Sequence, residues 1–469
     1  MIPEPKANSS PLVWVIAVPS PLHRVFEYLP PSDSQITPQP GARVKVPFAG
    51  RDVIGIFLEE RRSELPAAAA LKCVETLLDS KLPLLGSDQL KLLRWLSEYY
   101  LIPQGEAFQL GLATRERKGR SAWTAEADHI ALTHGTGMID KIPTRASKQR
   151  AAAQFIGEHT VPIASLTNAG FSAAVISALI KSGMAEKKRA EPPAYSPQPT
   201  VNLTDAQREI CTTLKAQMTG FKPHLLEGVT GSGKTEIYIE CIKEVIAKGH
   251  QALVIIPEIG LTPQTKQRFE AALGCEVPLI HSGLTEAERG RTWAMARSSA
   301  ARVVLGTRSS VFCSFRKLGL IIVDEEHDPS FRQQDHPRYS ARDVAVKRAQ
   351  ICKCPIIMGS ATPSLETIAN CDQGRYQHHA LMQRPQGSAL PDISLIDTRG
   401  LALSSGLSDE AIQQIRCAAE RNEQALLFIN RRGFAHSLQC EDCGWVADCQ
   451  HCDSSMAVHR TPPHLSCHY

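Results

Sequence analysis

The sequence contains no run of 18 or more uncharged apolar residues, so no membrane-spanning helix is expected. The apolar stretch LVWVIAV, Leu12 to Val18, is short, bracketed by prolines and not followed by a basic segment with a cleavage site. It reads as a strand and not as a secretion signal. Nor is there an excess of one charge: 52 Lys and Arg against 48 Asp and Glu leave a net charge of +4. That balance excludes a histone-like polycation but is compatible with a local basic face. No internal repeat of fixed period is present. With 43% hydrophobic and 21% charged residues, the composition excludes global disorder. Without an export signal the cytoplasm is the default compartment, where cysteines stay mostly reduced. What is there is 469 residues, enough for roughly three or four domains. One residue type is unevenly placed: five of the 14 cysteines fall between Cys440 and Cys467.

From Leu12 to about Glu60 the runs LVWVIAV, ARVKVPF and VIGIFLEE are separated by Pro, Gly and Asp clusters, which predicts a small β-rich barrel or sandwich. Leu90, Leu93, Leu96 and Tyr100 then recur at helical spacing. The basic stretch Arg115 to Arg120 reads as a solvated hinge in preference to a phosphate-contacting segment. Residues 121–190 alternate helical patterns with loops and close on KSGMAEKKR, which suggests a small helical domain ending in a hairpin, of winged-helix type. Residues 191–200 form a Pro-rich linker. Beyond it, strands HLLEGV, ALVIIP, RVVLGT, LIIVDEE and PIIMGSAT alternate with helical segments, which predicts a parallel sheet with helices on both faces. ALLFINRRG, from Ala425, follows the helical stretch Asp409 to Arg421 and would begin a second α/β domain.

GVTGSGKT fits the phosphate-loop pattern without departure: Gly228, Val229, Thr230, Gly231, Ser232, Gly233, Lys234 and Thr235. An apolar strand precedes it and a helical segment follows, the context the motif requires. Its glycines let successive N–H groups face phosphate oxygens. Lys234 would point a charge at the β and γ phosphates, and the Thr235 hydroxyl would ligate Mg2+. LIIVDEEH, Leu320 to His327, is an apolar strand with carboxylates at its C-terminal end, where ligands bind in open α/β sheets. Asp324 would hold Mg2+ through water, and Glu325 is the candidate general base for the attacking water. Glu326 and His327 are candidates for coupling the nucleotide state to neighbouring motifs.

The order GVTGSGKT, PEIGLTPQ, GTRSSVF, DEEH and GSATPS resembles the motor of a superfamily-two helicase, and most closely the bacterial primosomal helicase family. The resemblance covers residues from about 12 to 469. It implies a multidomain α/β protein: a 3′-DNA-end-binding domain over 12–113, a winged-helix-like domain over 121–190, and a first RecA-like lobe over 201–395 that binds ATP. The start of a second RecA-like lobe over 396–439 and a zinc-binding insertion over 440–469 would follow. Gln207 matches the family's adenine-reading glutamine. Thr262 and Gln264 in PEIGLTPQ, and Thr307 and Arg308 in GTRSSVF, match segments that grip single-stranded backbone. Ser360 and Thr362 match the segment that transmits hydrolysis to DNA movement. Phe331 and Tyr339 fall in a stretch similar to the family's aromatic-rich loop and would stack on bases. Phe26, Glu27 and Lys72 match the pocket for a DNA 3′ hydroxyl, with Glu where the family typically has Asp.

Cys440-x2-Cys443 and Cys449-x2-Cys452, with Cys467, carry the spacing of tetrahedral Zn2+ knuckles. The family has four such pairs and two zinc ions, the first and last pairs sharing one ion and the middle pairs the other. On that pattern Cys449 and Cys452 would pair with Cys467 and the residue three later, and both sites would be incomplete here. The expectation is a C-terminally truncated member that lacks the later motor motifs, including an arginine finger. For the whole protein the resemblance implies ATP-dependent 3′→5′ unwinding in replication restart, recognition of stalled or D-loop forks, and primosome assembly that reloads the replicative helicase. The implied partners are forked DNA, single-stranded DNA with 3′ ends, primosome proteins, the single-stranded-DNA-binding protein and the replicative helicase loader, in a bacterial, nucleoid-associated setting without a membrane. The alternative is a nucleotide- and DNA-3′-end-binding chain without coupled unwinding. A related translocase of a nuclease or modification complex fits less well, because of the end-binding domain and the Cys knuckles.

Overall fold

A computed structural model describes residues 11–31, 36–63, 71–122, 129–133, 135–188, 202–383, 392–428, 437–440, 443–452, 454–460 and 462–467. The chain divides into two units, Met1–Gly387 and Ser388–Tyr469.

The first unit begins with strands β1 (Leu12–Ala17), β2 (Phe26–Tyr28), β3 (Arg43–Phe48), β4 (Arg51–Arg62) and β5 (Thr76–Leu77). They form an antiparallel sheet of order β2-β1-β4-β3-β5. A two-residue turn at Ala49 and Gly50 joins β3 to β4, with φ of 47° and 78°, the left-handed pair that matches strand twist. Strand β1 is apolar throughout because both its faces are buried. Trp14 and Ile16 pack with Tyr28, Val44, Val46 and Phe57. Ala17, on the other face, joins Ile56 in a core with helices α1 (Ser87–Tyr99) and α2 (Gln104–Leu110). That second core runs on without a break into Phe312, Ile321, Phe331, Tyr339 and Val344. Buried Gln89 of α1 reinforces it, donating to the Phe312 carbonyl at 2.8 Å and accepting from Ser314 Oγ at 2.6 Å.

The stretch from Arg115 is not the solvated hinge expected from its charge. It turns into the short helix α3 (Thr114–Arg117), in which Glu116 is buried and takes Arg297 at 3.2 Å. Arg43, itself bidentate on Asp79, donates to the carbonyls of Glu116 and Arg120 at 3.0 and 2.7 Å. Partnered carbonyls and a buried ion pair fix the segment.

A separate small core follows, built from β6 (His129–Leu132), α4 (Ser147–Ile156), β7 (Val161–Pro162), α5 (Ile163–Asn168), α6 (Ala173–Lys181) and β8 (Ala185–Lys188). Ile130, Ala152, Ile156, Leu166, Ile176 and Leu179 fill it. The closing hairpin expected here is absent among the described residues. Strand β8 instead returns to pair antiparallel with β6, which buries Ala185. The linker expected over 191–200 lies outside the described residues.

Helix α7 (Asp205–Ala216) leads into a doubly covered sheet. Its strands and helices are β9 (Pro223–Gly228), α8 (Lys234–Ala247), β10 (Gln251–Ile255), α9 (Pro263–Leu273), β11 (Leu279–Ile280), α10 (Glu286–Arg297), β12 (Val303–Gly306) and β13 (Leu318–Asp324). The hairpin of β14 (Arg332–Gln333) and β15 (Tyr339–Ser340) follows, then α11 (Ala341–Cys352), β16 (Ile356–Ser360), α12 (Leu365–Asp372) and β17 (Gln377–Leu381). Seven strands pair in parallel in the order β11-β12-β10-β13-β16-β9-β17. This is a RecA-like sheet. Alternate residues of the central strands serve opposite cores: Leu253, Ile255, Ile321, Val323 and Met358 on one face, and Ala252, Val254, Leu320, Ile322 and Ile357 on the other. Burial on both faces accounts for near-continuous apolar runs. The order also sets the C-terminal ends of β13, β16 and β9 side by side, so DEEH, GSATPS and GVTGSGKT emerge together.

The second unit holds α13 (Asp409–Glu420), capped by Ser408, and a hairpin of β18 (Ala457–Arg460) and β19 (Pro463–Ser466). The strand expected from Ala425 does not form over residues 425–428, where Leu426 and Phe428 are 95% and 85% exposed. A parallel strand needs neighbours for its N–H and C=O groups, and the described residues of this unit supply none. Residues 429–434 lie outside the described residues. Among the described residues, no helix is long and apolar enough to cross a membrane.

Candidate functional site

Strand β9 ends at Gly228, and the loop turns over Gly231 and Gly233 at φ of 82° and 87° before α8 begins at Lys234. Glycine takes these conformations without the Cβ penalty, and the N-terminus of α8 faces the loop with its partial positive charge. Gly228 is also fixed by space: a Cβ there would lie 2.7 Å from Ser232 Oγ and 3.2 Å from the Leu381 carbonyl oxygen. Ser232 Oγ is buried without a hydrogen-bond partner. Lys234 Nζ donates to the Gly228 carbonyl at 2.9 Å and stands 3.7 Å from the Glu325 carboxylate. Gln207, buried on α7, receives the Thr204 N–H at 2.9 Å and donates to the Ser232 carbonyl at 2.8 Å. Both ends of its amide thus hold the helix cap and the phosphate loop. The amide keeps one N–H and one carbonyl lone pair beyond these two bonds.

Asp324 closes β13, and Glu325 follows in the left-handed region at φ 48°, a strained position for a residue with a side chain. Burial pushes the Asp324 carboxyl up, while a hydrogen bond from Tyr238 pulls it down. Thr235, Tyr238, Asp324, Glu325 and His327 line one cleft of about 480 Å3, which Ile259 and Arg268 also line. Hydroxyl and carboxylate oxygens around one cavity are the hard donor set that suits Mg2+.

Two further links leave DEEH. His327 Nδ1 meets Ser360 Oγ at 2.7 Å, and the Thr362 N–H donates to the same hydroxyl at 3.0 Å. The fully buried Glu326 carboxylate accepts from Ser364 N–H at 2.6 Å, from Ser364 Oγ and Thr367 Oγ1 at 3.0 Å each, and from Arg342 at 3.1 Å. The structure therefore brings Lys234, Asp324, Glu325, His327, Ser360 and Thr362 into one neighbourhood. Tyr238 and Arg342 were missed as members of it. Tyr238 had a sequence signal, since it lies four residues after Lys234 and so on the same helix face.

The residues expected to grip DNA divide. Gln264 is exposed, and half-buried Thr262 caps α9 by accepting from Thr265 N–H at 3.2 Å. Thr307 is buried, and Arg308 donates to the carbonyls of Ser330 and Arg332 at 3.3 and 3.2 Å. Phe331 and Tyr339 are corrected outright. They are 2% and 4% exposed, with Tyr339 edge-on to Phe312 at 5.0 Å. Their rings are packing for the shared core and offer no face to a base.

In the N-terminal sheet, Phe26, Glu27, Phe48 and Lys72 line a second cavity of about 280 Å3. Lys72 arrives from a distant stretch because its carbonyl accepts the Leu29 N–H at 2.9 Å. Phe26 stands edge-on to Phe48 at 4.9 Å, with Arg24 over its ring at 5.0 Å. Arg61 and Ser63 hold the Glu27 carboxylate at 3.1 and 2.5 Å. Phe48, Arg24, Arg61 and Ser63 were not singled out from sequence. Arg24 lies two residues before Phe26, whereas Phe48, Arg61 and Ser63 come from distant stretches that no local spacing connects to it.

In the second unit the Sγ atoms of Cys449, Cys452 and Cys467 lie within 4.8 Å of one another, a three-thiol set that suits Zn2+. The Cys452 thiol is held below its usual range, first by the Ser454 backbone N–H and then by Cys467. Cys440 and Cys443 belong to a separate turn, in which Gly444 N–H donates to the Cys440 carbonyl at 3.0 Å. Among the described residues they join no such group.

Residues 15–113 match the family model "3'DNA-binding domain (3'BD)", and residues 200–365 match "Type III restriction enzyme, res subunit". The "Replication restart protein PriA" of Haemophilus influenzae is 37% identical over 97% of this chain and 63% of its own length. That of Bacillus subtilis is 32% identical over 96% of this chain and 65% of its own. The chain thus spans just under two thirds of these curated relatives.

Proposed function

The chain belongs to the PriA family of replication restart proteins, and from that premise we propose that it carries the ATP-hydrolysing lobe and the DNA 3′-end-binding domain of an ATP-dependent 3′→5′ DNA helicase. The observation that carries this reading is the convergence of Thr235, Asp324 and Glu325 on one cleft, with Lys234 3.7 Å from the Glu325 carboxylate and His327 bonded to Ser360. The loop N–H groups and Lys234 bind and orient the triphosphate. Thr235 and Asp324 would hold Mg2+, which, when bound, neutralises charge building on the phosphoryl oxygens. Glu325 orients the attacking water and takes its proton. Gln207 reads the adenine. His327 senses the cleft and passes its state to Ser360 and Thr362, while Thr262, Gln264 and Arg308 bear on the single strand. Phe26 stacks on the last base of a 3′ end, and Glu27 accepts its hydroxyl proton. Cys449, Cys452 and Cys467 would hold a structural Zn2+.

Forked DNA with free 3′ ends is the proposed substrate. Primosome proteins, the single-stranded-DNA-binding protein and the helicase loader are the proposed partners, in a bacterial cytoplasm. The test is DNA-stimulated ATPase on forked DNA, comparing the chain with Lys234→Ala. Equal rates in the two overturn the reading. Unwinding of partial duplexes with opposite overhangs then tests polarity. A second reading is nucleotide and DNA-end binding without coupled unwinding. It is favoured by the second unit, whose described residues form no parallel sheet. ATPase that DNA does not stimulate, together with intact 3′-end binding, selects it.

A further inference from the structure

We propose that Tyr238 is a positioning residue for Asp324, its phenol fixing the carboxylate that would bind Mg2+ in the nucleotide cleft; the proposal rests on the nucleotide-hydrolysing reading of that cleft. Tyr238 stands one turn beyond Lys234 on α8, so the helix that opens the phosphate loop also carries this side chain. Its hydroxyl donates to Asp324 Oδ1 at 2.9 Å, and the residue is 1% exposed. The hydroxyl fills a notch between the ends of β13 and β16 that exists because residue 359 is glycine. A Cβ at Gly359 would lie 2.8 Å from the ring carbon Cζ that bears the oxygen, and 3.3 Å from Asp324 Oδ1. The hydroxyl oxygen is the atom that a Cβ at 359 would strike first, ahead of Cζ, so glycine there keeps open the space in which the phenol reaches Asp324.

The consequence is geometric and electrostatic. Pinning one carboxylate oxygen sets the direction of the other, which holds a metal-binding group in its productive orientation before nucleotide arrives. The donor also offsets part of the cost of keeping a carboxylate charged next to Glu325 in a buried site. Tyr238 therefore ties the phosphate loop helix to the carboxylate strand, and a shift of α8 is felt at Asp324.

The experiment is a titration of a fluorescent ATP analogue into the full chain, in Mg2+ and in EDTA, for wild type, Tyr238→Phe, Asp324→Asn and the double variant. Urea unfolding checks that each is folded. Tyr238→Phe is expected to lose about 10-fold or more of the Mg2+-dependent gain in affinity, the value of a hydrogen bond to a charged group. Binding in EDTA should be unchanged, and Tyr238→Phe should have no further effect in the Asp324→Asn background. An unchanged Mg2+ gain in Tyr238→Phe, an equal loss in EDTA, or the same loss in the Asp324→Asn background overturns the proposal. If wild type and Lys234→Ala bind the analogue equally, the nucleotide reading of the cleft fails and the proposal falls with it. A Mg2+ gain in wild type that Tyr238→Phe retains defeats the proposal alone.

Discussion

Gly359→Ala isolates a demand that the fold places on a single hydrogen atom. Gly359 is not in the left-handed region, so alanine meets no backbone penalty there and the effect is one of space. The new methyl group would enter the van der Waals envelope of the Tyr238 hydroxyl and reach 2.8 Å from Cζ. All residues of β16 are buried, so neither strand nor ring has free room to move. Overpacking of this kind costs about 1–3 kcal/mol. If the ring yields, its hydrogen bond to Asp324 is lost as well, a further cost of about 1.5–3 kcal/mol. The expectation is a destabilisation of roughly 2.5–6 kcal/mol for the parallel-sheet lobe when both costs apply, read as a lower urea midpoint with little change in slope. Removing the oxygen with Tyr238→Phe relieves the worst contact and leaves only the approach to Cζ. The double variant should then be more stable than Gly359→Ala alone, with a coupling of about 1 kcal/mol or more. A Gly359→Ala chain within about 0.5 kcal/mol of wild type, or strictly additive effects in the double variant, refutes the reasoning.

Burial first, then the neighbouring His379 and Lys222, push the His224 imidazole from 6.5 down to about 4. The unfolded chain binds that proton more readily, so stability is present above pH 6.5 and is lost as pH falls toward 4. The loss amounts to about 3 kcal/mol, and His224→Gln should flatten this part of a urea-midpoint profile against pH. Glu326→Ala would take from Arg342 its fully buried carboxylate, leaving it Asp343 and Glu366, and strip Ser364 and Thr367 of their acceptor. Loss of about 1–3 kcal/mol in urea unfolding is expected, the cost of the buried donors left unsatisfied, and a change below about 0.5 kcal/mol would contradict the clamp. Ser substitution at Cys449, Cys452 or Cys467 should each lower the zinc retained after dialysis, as measured by elemental analysis, whereas Cys440→Ser should leave the zinc held by the three-thiol set in place.

The legible parts of this protein were those whose chemistry is local in the chain. GVTGSGKT and DEEH each carry their function within eight residues. The doubly buried strands β10, β13 and β16 announce themselves by continuous apolar runs. Illegible parts depend on what lies opposite in space. Phe331 and Tyr339 look like stacking residues in a polar loop, yet they are drawn into a core shared with α1. The Arg115 to Arg120 stretch looks solvated, yet Glu116 within it finds Arg297. Glu27 could be named from resemblance, but its holders Arg61 and Ser63 come from the far end of β4, because β4 crosses the sheet beside β1.

The burial of Phe331 and Tyr339 changes what the loop after DEEH can do. With its rings committed to the core, its polar atoms do the linking. Arg308 fastens the loop's Ser330 and Arg332 carbonyls to the GTRSSVF turn. His336 meets Glu106 of α2 at 2.6 Å, and the Ser340 N–H donates to the Tyr100 hydroxyl at 3.1 Å. Arg342, just beyond, returns to Glu326. One short segment thus touches the turn proposed to contact DNA, the helices of the N-terminal module and the carboxylate strand of the nucleotide cleft. Interiors packed to crystal-like density transmit displacement instead of absorbing it. A strand of DNA that moved Arg308 would therefore move the loop carbonyls it holds, and through Arg342 the Glu326 clamp. The links among these three neighbours run through hydrogen bonds that a buried ring keeps in register, and none of them needs an exposed ring.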